Sequence, residues 1–270
     1  MKKMIAMILV VMMALSVTGA FAEGGKLAEI QEKGKLTICT DAAWAPFEYI
    51  GADGEIVGAD IEIAEYIAEQ LGVELEKINV AFDSISTYLI NDDADLSLSA
   101  MTITKERMET LDFSIPYTTA QQYIIVLADN DKVAVLDDLA GQNIGVHLGT
   151  TGDFLVSDQV MMGVLANTGA NVAQYKFLTD AALALKNGEL GAIVCDTMLA
   201  ENLVAVNEGL KCFPLAFAEG EVEIEQLGIA MKKGDEEFVA KINEIIAPII
   251  EDGTVDKWLI EHSELASALD

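Results

Sequence analysis

The chain has 270 residues, with 16 lysines and arginines against 45 aspartates and glutamates, a formal charge of −29. A surface so negative repels nucleic acid and anionic membranes, and it argues against either as a partner. With 52% hydrophobic residues the chain can bury one large core or two medium ones.

The chain opens as a targeting peptide. Lys2 and Lys3 supply the positive start, residues 4–17 an apolar stretch, and Ala20-Phe21-Ala22 an A-x-A cleavage site. The apolar run is short for a membrane span. Glu23 follows the cut, so there is no lipid-carrying cysteine, and the expected product is an exported, periplasmic chain with no membrane span after the leader is removed. Losing Lys2 and Lys3 leaves 14 basic residues against the same 45 acidic ones, a net of −31 over the remaining 248 residues. Such a charge draws cationic solutes at long range, although salt screens it beyond about 10 Å. A solvated acidic face that promotes solubility accounts for the same numbers.

Residues 35–40 (KLTICT) read as a first strand. Asp60 then caps a helix whose Ile61, Ala64, Ile67, Ala68 and Leu71 share one face and which Gly72 ends. Residues 74–80 form the next strand, 84–90 a helix, and 95–100 a strand running into Thr102, Thr104 and Arg107. A second set starts with the apolar run QQYIIVLA at Gln121. Strand 144–147, a helix opened by Thr150 and Thr151, strand 172–177, helix 180–186 and strands 192–195 and 212–216 follow. Residues 226–232 make a last strand before a long helix with Phe238, Ile242, Ile245, Ile246 and Ile249 on one face. Pro248 should kink or break that helix. Trp258 and Leu259 dock a final short helix. Alternation of apolar strands with amphipathic helices is an α/β signature with mostly parallel sheets.

Three cysteines, Cys39, Cys195 and Cys212, show no CxxC and no metal-like spacing. Cys39 and Cys195 sit inside apolar runs, which points to buried free thiols, with a Cys195–Cys212 bridge as the alternative an oxidising compartment allows.

Residues 99–117, SAMTITKERMETLDFSIPY, carry the chemistry that stands out. An arginine near a helix start, beside free backbone N–H groups and two threonine hydroxyls, suits a planar carboxylate gripped by several donors. Spacing alone fits a solvated surface arginine as well. Asp196, after the strand 192–195, stands where open α/β sheets bind ligands, but the same position suits a helix cap.

The segment 99–117, with GAIVCDTMLA around Asp196, resembles the extracellular solute-binding proteins of family 3, which feed polar amino acids to ABC importers. The resemblance runs from about Gly34 to about His262. It implies the two-lobe type II periplasmic-binding-protein fold, each lobe a mixed, mostly parallel sheet with flanking helices. Lobe one would take 30–119 and 225–270 and lobe two 122–221, joined by hinges near 119–122 and 221–225. It also implies an amino acid in the cleft. Arg107 would hold the α-carboxylate with Thr102 and the Thr150–Thr151 loop, although a threonine N-cap explains that loop too. Asp196 and the neighbourhood of Ser99 and Ala100 would take the α-ammonium. Asp41 would meet the far end of the side chain, with Trp44 and Phe82 as aromatic walls; His147 and Gly152 occupy positions that read the side chain. Asp41 suits a tip that carries donors, so arginine, lysine and ornithine come first, then glutamine and histidine. No second arginine or lysine at these positions favours an acidic ligand. The expected mechanism is hinge closure by a monomer that needs no cofactor and presents its ligand to a membrane permease. A dehydratase acting on cyclic carboxylates and a sensor docking to a chemoreceptor are the alternatives on the same scaffold.

Overall fold

The computed structural model describes residues 25–220, 222 and 224–269. The leader, its cut after Ala22, and two residues of the expected hinge at 221–225 lie outside the described residues.

A six-residue strand that is apolar on both faces needs cover on both sides. In β1 (Lys35–Thr40), Leu36 and Ile38 point into one core and Cys39 into another, as period-two alternation requires. Before it runs α1 (Lys26–Lys33); after it come the short strands β2 (Ala43–Trp44), β3 (Glu48–Ile50) and β4 (Ile56–Val57), a small sheet of their own. Next are α2 (Ala59–Leu71), β5 (Glu74–Asn79), α3 (Ile85–Ile90), β6 (Leu96–Ser97), β7 (Leu111–Phe113), β8 (Thr118–Ala120) and β9 (Gln122–Leu127). The chain continues through β10 (Asn143–His147), α4 (Thr151–Met161), β11 (Asn171–Tyr175), α5 (Leu178–Lys186), β12 (Ala192–Asp196), α6 (Thr197–Val206) and β13 (Leu210–Pro214). It ends with β14 (Glu225–Leu227), β15 (Ala230–Lys232), α7 (Glu236–Glu251) and α8 (Thr254–Ser267).

Two five-stranded sheets result, ordered β5-β1-β6-β15-β7 and β11-β10-β12-β9-β13. In each, four strands run one way and one is reversed: β15 in the first and β9 in the second. Each reversed strand follows directly on a crossing between the sheets. Both crossings pass through a two-stranded ribbon in which β8 and β14 pair antiparallel, Ala120 opposite Glu225. The fold is therefore the two-lobe α/β architecture expected, with a mixed sheet and flanking helices in each lobe. No helix among the described residues is long and apolar enough to cross a membrane.

Several local expectations are corrected. Asp60 does not cap α2; Gly58 holds that position, and Asp60 sits inside the first turn, fully buried, accepting from the Ala100 N–H at 2.9 Å and the Tyr117 hydroxyl at 2.9 Å. Strand 95–100 shrinks to Leu96–Ser97, because Ala100 adopts φ +45 and turns the chain off the sheet. Strand 226–232 is cut at Gly228, where a side chain would strike Ile103 at 2.8 Å, and its halves join different sheets. Helix α7 runs through Pro248 to Glu251. The proline removes one backbone bond near the helix end, and the apolar face from Phe238 to Ile249 stays buried on both sides of it.

The cysteines are free thiols. Cys195 pairs with Tyr123 and Cys212 with Ile125, on opposite flanks of β9. Two strand spacings, roughly 9–10 Å, separate them, too far for a disulfide. Burial pushes the Cys39 thiol up to about 12 and that of Cys195 well above its ordinary value. Thiol titration of the unfolded chain should therefore count three thiols without reductant, and reductant should not move the melting temperature; a count of one would contradict this arrangement.

Candidate functional site

Four strand ends on facing sheets carry the chemistry. Asp41 follows β1, Ser99 follows β6, His147 closes β10 and Asp196 closes β12. Carboxyl ends of strands in open α/β sheets converge where loops and helix starts leave backbone groups free for a ligand.

Arg107 stands in a short 3₁₀ turn, Arg107–Glu109, with its N–H held by the Thr104 hydroxyl at 3.2 Å. One arm of its guanidinium donates to the Thr102 carbonyl at 2.8 Å. The other crosses to the second lobe and donates to the Gly149 carbonyl at 3.2 Å. The guanidinium also lies 5.4 Å from the centre of the Phe82 ring, cation–π distance. Gly149 takes φ +81 to make this turn, a conformation other residues adopt at a cost. Cavities of about 690 and 810 Å³ open on either side and share Thr104, Glu106 and Thr151. Asp41, Trp44, His147 and Asp196 line neither; they pack against their neighbours behind them.

Thr150 and Thr151 divide the two readings of their loop. Thr150 is an N-cap: its hydroxyl accepts from the Asp153 N–H at 3.3 Å and donates to the His147 carbonyl at 2.8 Å, leaving only its backbone for other work. Thr151 faces the cleft, its hydroxyl donating to Glu225 Oε2 at 2.8 Å. Asp153, buried at 2% exposure, braces the turn by accepting from Gly149 N–H and the Gln174 amide. Gly152 faces inward; a side chain there would meet Gln122 Oε1 at 2.7 Å, so it lies in the helix packing rather than at a side-chain slot.

Asp196 also separates its alternatives. It occupies the N-cap position of α6, yet its side chain makes no cap hydrogen bond. Instead the buried carboxylate accepts from the Gln122 amide. Burial and the Glu225 charge push it up to about 7, against the lowering pull of Gln122 and Arg107.

At the other end, Asp41 accepts from the Phe82 N–H at 3.1 Å and lies 3.5 Å from His147 Nε2. Burial raises its carboxyl to about 6, and burial lowers His147, so the contact joins a neutral imidazole to a carboxyl. Trp44 and Phe82 are nearly parallel, 21° apart with centroids at 6.5 Å, and His147 stacks on Trp44 at 5.0 Å as a third ring. Ser99 faces away from the cleft: its hydroxyl accepts from the Asp41 N–H and donates to Glu48, each at 3.1 Å. Ala100, with its positive φ, is pinned by Asp60.

Four residues outside the expected ligand contacts take part, Asp60 among them, expected only as a helix cap. Glu48 and Asp60 lie beneath Asp41 and Ala100, fully buried. Glu225 and Gln122 join the two lobes at the ribbon. Gln122 carried a readable signal, a polar residue 1% exposed at the start of the apolar run QYIIVL. Glu225, one acid among several in GEVEIEQ, carried none.

The buried carboxyls set the pH response. Burial and neighbouring acids raise Glu48 well above its usual range; burial lifts Asp60 and Asp41 to about 6 and Asp196 to about 7. Each folded value exceeds the unfolded one, so these four acids hold more protons in the folded chain between about pH 4 and 7, partly offset by His147, which burial lowers. The resulting stabilisation is complete below that window and is lost as pH rises through it. Without ligand the protein should melt higher at pH 5 than at pH 7.5 at matched ionic strength; the opposite slope would contradict the burial of these acids.

A family model, bacterial extracellular solute-binding proteins, family 3, matches residues 36–262. The chain belongs to this family. The ABC transporter arginine-binding protein 1 of Escherichia coli (strain K12) is 33% identical to it over 244 residues, 88% of this chain and 92% of that one. The L-cystine-binding protein TcyJ of the same strain is 30% identical over 245 residues, 88% of each chain. Among solved structures, the amino acid ABC transporter substrate-binding protein AbpA from Streptococcus pneumoniae Canada MDR_19A, bound to L-arginine, superposes with a TM-score of 0.81. It is 30% identical, and the match covers 88% of this chain and 98% of that one. The two curated relatives are named for different amino acids, arginine and cystine.

Proposed function

We propose that this chain is an exported receptor that captures a polar L-amino acid by closing its lobes and delivers it to an ABC importer. The order of preference is arginine, lysine and ornithine, then glutamine and histidine. The observation that carries the reading is the charge arrangement at the strand ends between the two sheets: Arg107 joined to Thr102 and Gly149, the buried Asp196 within electrostatic reach of it, and the buried Asp41 against Phe82 and His147. That order suits a carboxylate, an ammonium and a side chain whose tip donates hydrogen bonds. Relatives named for arginine and cystine lie at similar distance, so relatedness alone does not choose the ligand. The acid Asp41 and the rings of Trp44 and Phe82 favour a cation, since a guanidinium or ammonium against a ring gains about 0.5–2 kcal/mol. Micromolar affinity needs only about 8 kcal/mol in all. The ligand shifts an open–closed balance by contacts made only on closure.

On this reading lobe one spans 30–119 and 225–270, lobe two 122–221, with hinges near 119–122 and 221–225. The leader is cut after Ala22, the mature chain works in the periplasm as a monomer, and it binds rather than turns over its ligand. A thermal-shift panel on residues 23–270, refolded to strip carried ligand, tests this. Amino acids at a hundred times their dissociation constant should add about 2.7 kcal/mol. A response to lysine, arginine or ornithine is expected. Silence toward amino acids with a response to a cyclic carboxylate would contradict the reading in favour of an enzyme.

A further inference from the structure

We infer that Glu225 is a positioning residue of the closed site, tying the two lobes together and holding the Thr102 and Thr151 segments, and with them their backbone N–H groups, beside Arg107. This rests on the amino acid reading above. Glu225 opens β14, in the ribbon through which both connections between the sheets run. Its Oε2 accepts from the Thr102 hydroxyl of the first lobe at 2.7 Å and from the Thr151 hydroxyl of the second at 2.8 Å. Its Oε1 accepts from the Gln122 amide, at the start of β9, at 3.1 Å. One carboxylate therefore joins both lobes and both connecting segments.

The two threonines it holds are the ones beside Arg107. The Arg107 guanidinium donates to the Thr102 carbonyl, and Thr151 begins α4 two residues after Gly149, the other Arg107 acceptor. A threonine hydroxyl held by a charged acceptor fixes the χ1 of a β-branched side chain; with its one proton given to Glu225, what each threonine offers an anion is its backbone N–H. Thr151 also lies in the first turn of an eleven-residue helix, where N–H groups are free to meet an anion. Glu225 thus contributes twice. It holds the backbone on both sides of Arg107, and its two hydroxyl contacts require Thr102 and Thr151 to lie close together. An acid that merely solvates the ribbon would do neither.

Through Gln122 the same carboxylate reaches Asp196, since one amide donates to both. The anion clamp and the candidate ammonium acceptor are therefore parts of one hydrogen-bonded network, with Glu225 at its centre.

The test compares wild type, Glu225→Ala and Glu225→Gln as the chain from residue 23 to 270, using calorimetric titration with L-arginine and small-angle X-ray scattering with and without it. Apparent affinity scales with the fraction of molecules in the competent form, so Glu225→Ala should weaken binding about tenfold or more. It should also enlarge the ligand-free radius of gyration, and saturating arginine should restore the compact value. Glu225→Gln keeps an oxygen that can accept both hydroxyls and should recover most of the loss. Affinity within twofold of wild type together with unchanged scattering in Glu225→Ala would overturn the inference. Should Glu225→Ala not fold, Thr151→Val removes the same contact with little change of shape. It should weaken binding, and its effect should be non-additive with Glu225→Gln; additive effects would overturn the inference. If wild type binds no amino acid, the functional reading fails. The scattering difference between wild type and Glu225→Ala then still reports whether Glu225 ties the lobes.

Discussion

Arg107→Ala should leave a folded protein that no longer binds its amino acid at any practical concentration. The guanidinium joins the Thr102 and Gly149 carbonyls, and its fork reaches both lobes at once. Truncating one partner of a hydrogen-bonded charge pair at a binding site costs about 2–5 kcal/mol, roughly one and a half to three and a half orders of magnitude in affinity. Arg107→Lys keeps the charge and loses the fork, so it should fall between. Arg107 is half-buried in a short 3₁₀ turn rather than in the core, so its loss should shift the melting temperature by only a few degrees. Calorimetric titration together with thermal unfolding separates the two effects. Unchanged affinity in Arg107→Ala would remove the carboxylate clamp from the account.

Asp196→Asn should cost about a hundredfold in affinity, roughly 3 kcal/mol, and should also change how affinity depends on pH. Asp196 sits at about 7 because it is buried and faces Glu225. An ammonium ligand binds best to the ionised carboxylate, so protons compete with it below that value. Affinity should fall as pH drops from 7.5 to 6, by at most tenfold per unit. Asp41, at about 6, should extend the fall below pH 6 for ligands with a cationic tip. Asp196→Asn should abolish the step between 7.5 and 6 and leave the Asp41 step. A mutant that lost affinity with the same pH profile would mean that Asp196 acts through packing alone.

The fold was legible where local chemistry and packing agree. β1, the α2 face from Ile61 to Leu71, the Gly72 stop, the β9 run and the Asp196 strand all emerge from periodicity and turn residues, since each is apolar on the faces it buries. Boundaries failed where tertiary contacts override local preference. Asp60 carries a capping residue's side chain, but the buried N–H of Ala100 and the Tyr117 hydroxyl claim it. Residues 226–232 have a continuous strand pattern, but two sheets share them, and the break falls at Gly228, where Ile103 leaves no room for a side chain.

The candidate site was legible as far as motif and strand ends reach. Thr102, Arg107, Thr151 and Phe82 line the cavities between the sheets, whereas Asp41, Trp44, His147 and Asp196 are buried at the strand ends behind them. Ser99 and Thr150 stand beside these with their hydroxyls turned inward to hold Asp41, Glu48, Asp153 and His147. No spacing rule distinguishes a hydroxyl aimed at a ligand from one aimed at its neighbour. Glu225 was illegible for a related reason: an acid in an acidic run looks solvated until the fold brings two threonines and a glutamine to it.

The most direct test is a crystal structure of residues 23–270 with whichever amino acid raises the melting temperature most. The ligand's carboxylate should lie on Arg107 with the Thr102 and Thr151 backbone N–H groups, its ammonium on Asp196, and its side chain along Trp44 and Phe82 toward Asp41. A ligand bound with its carboxylate away from Arg107, or outside the cleft between the two sheets, would contradict this placement.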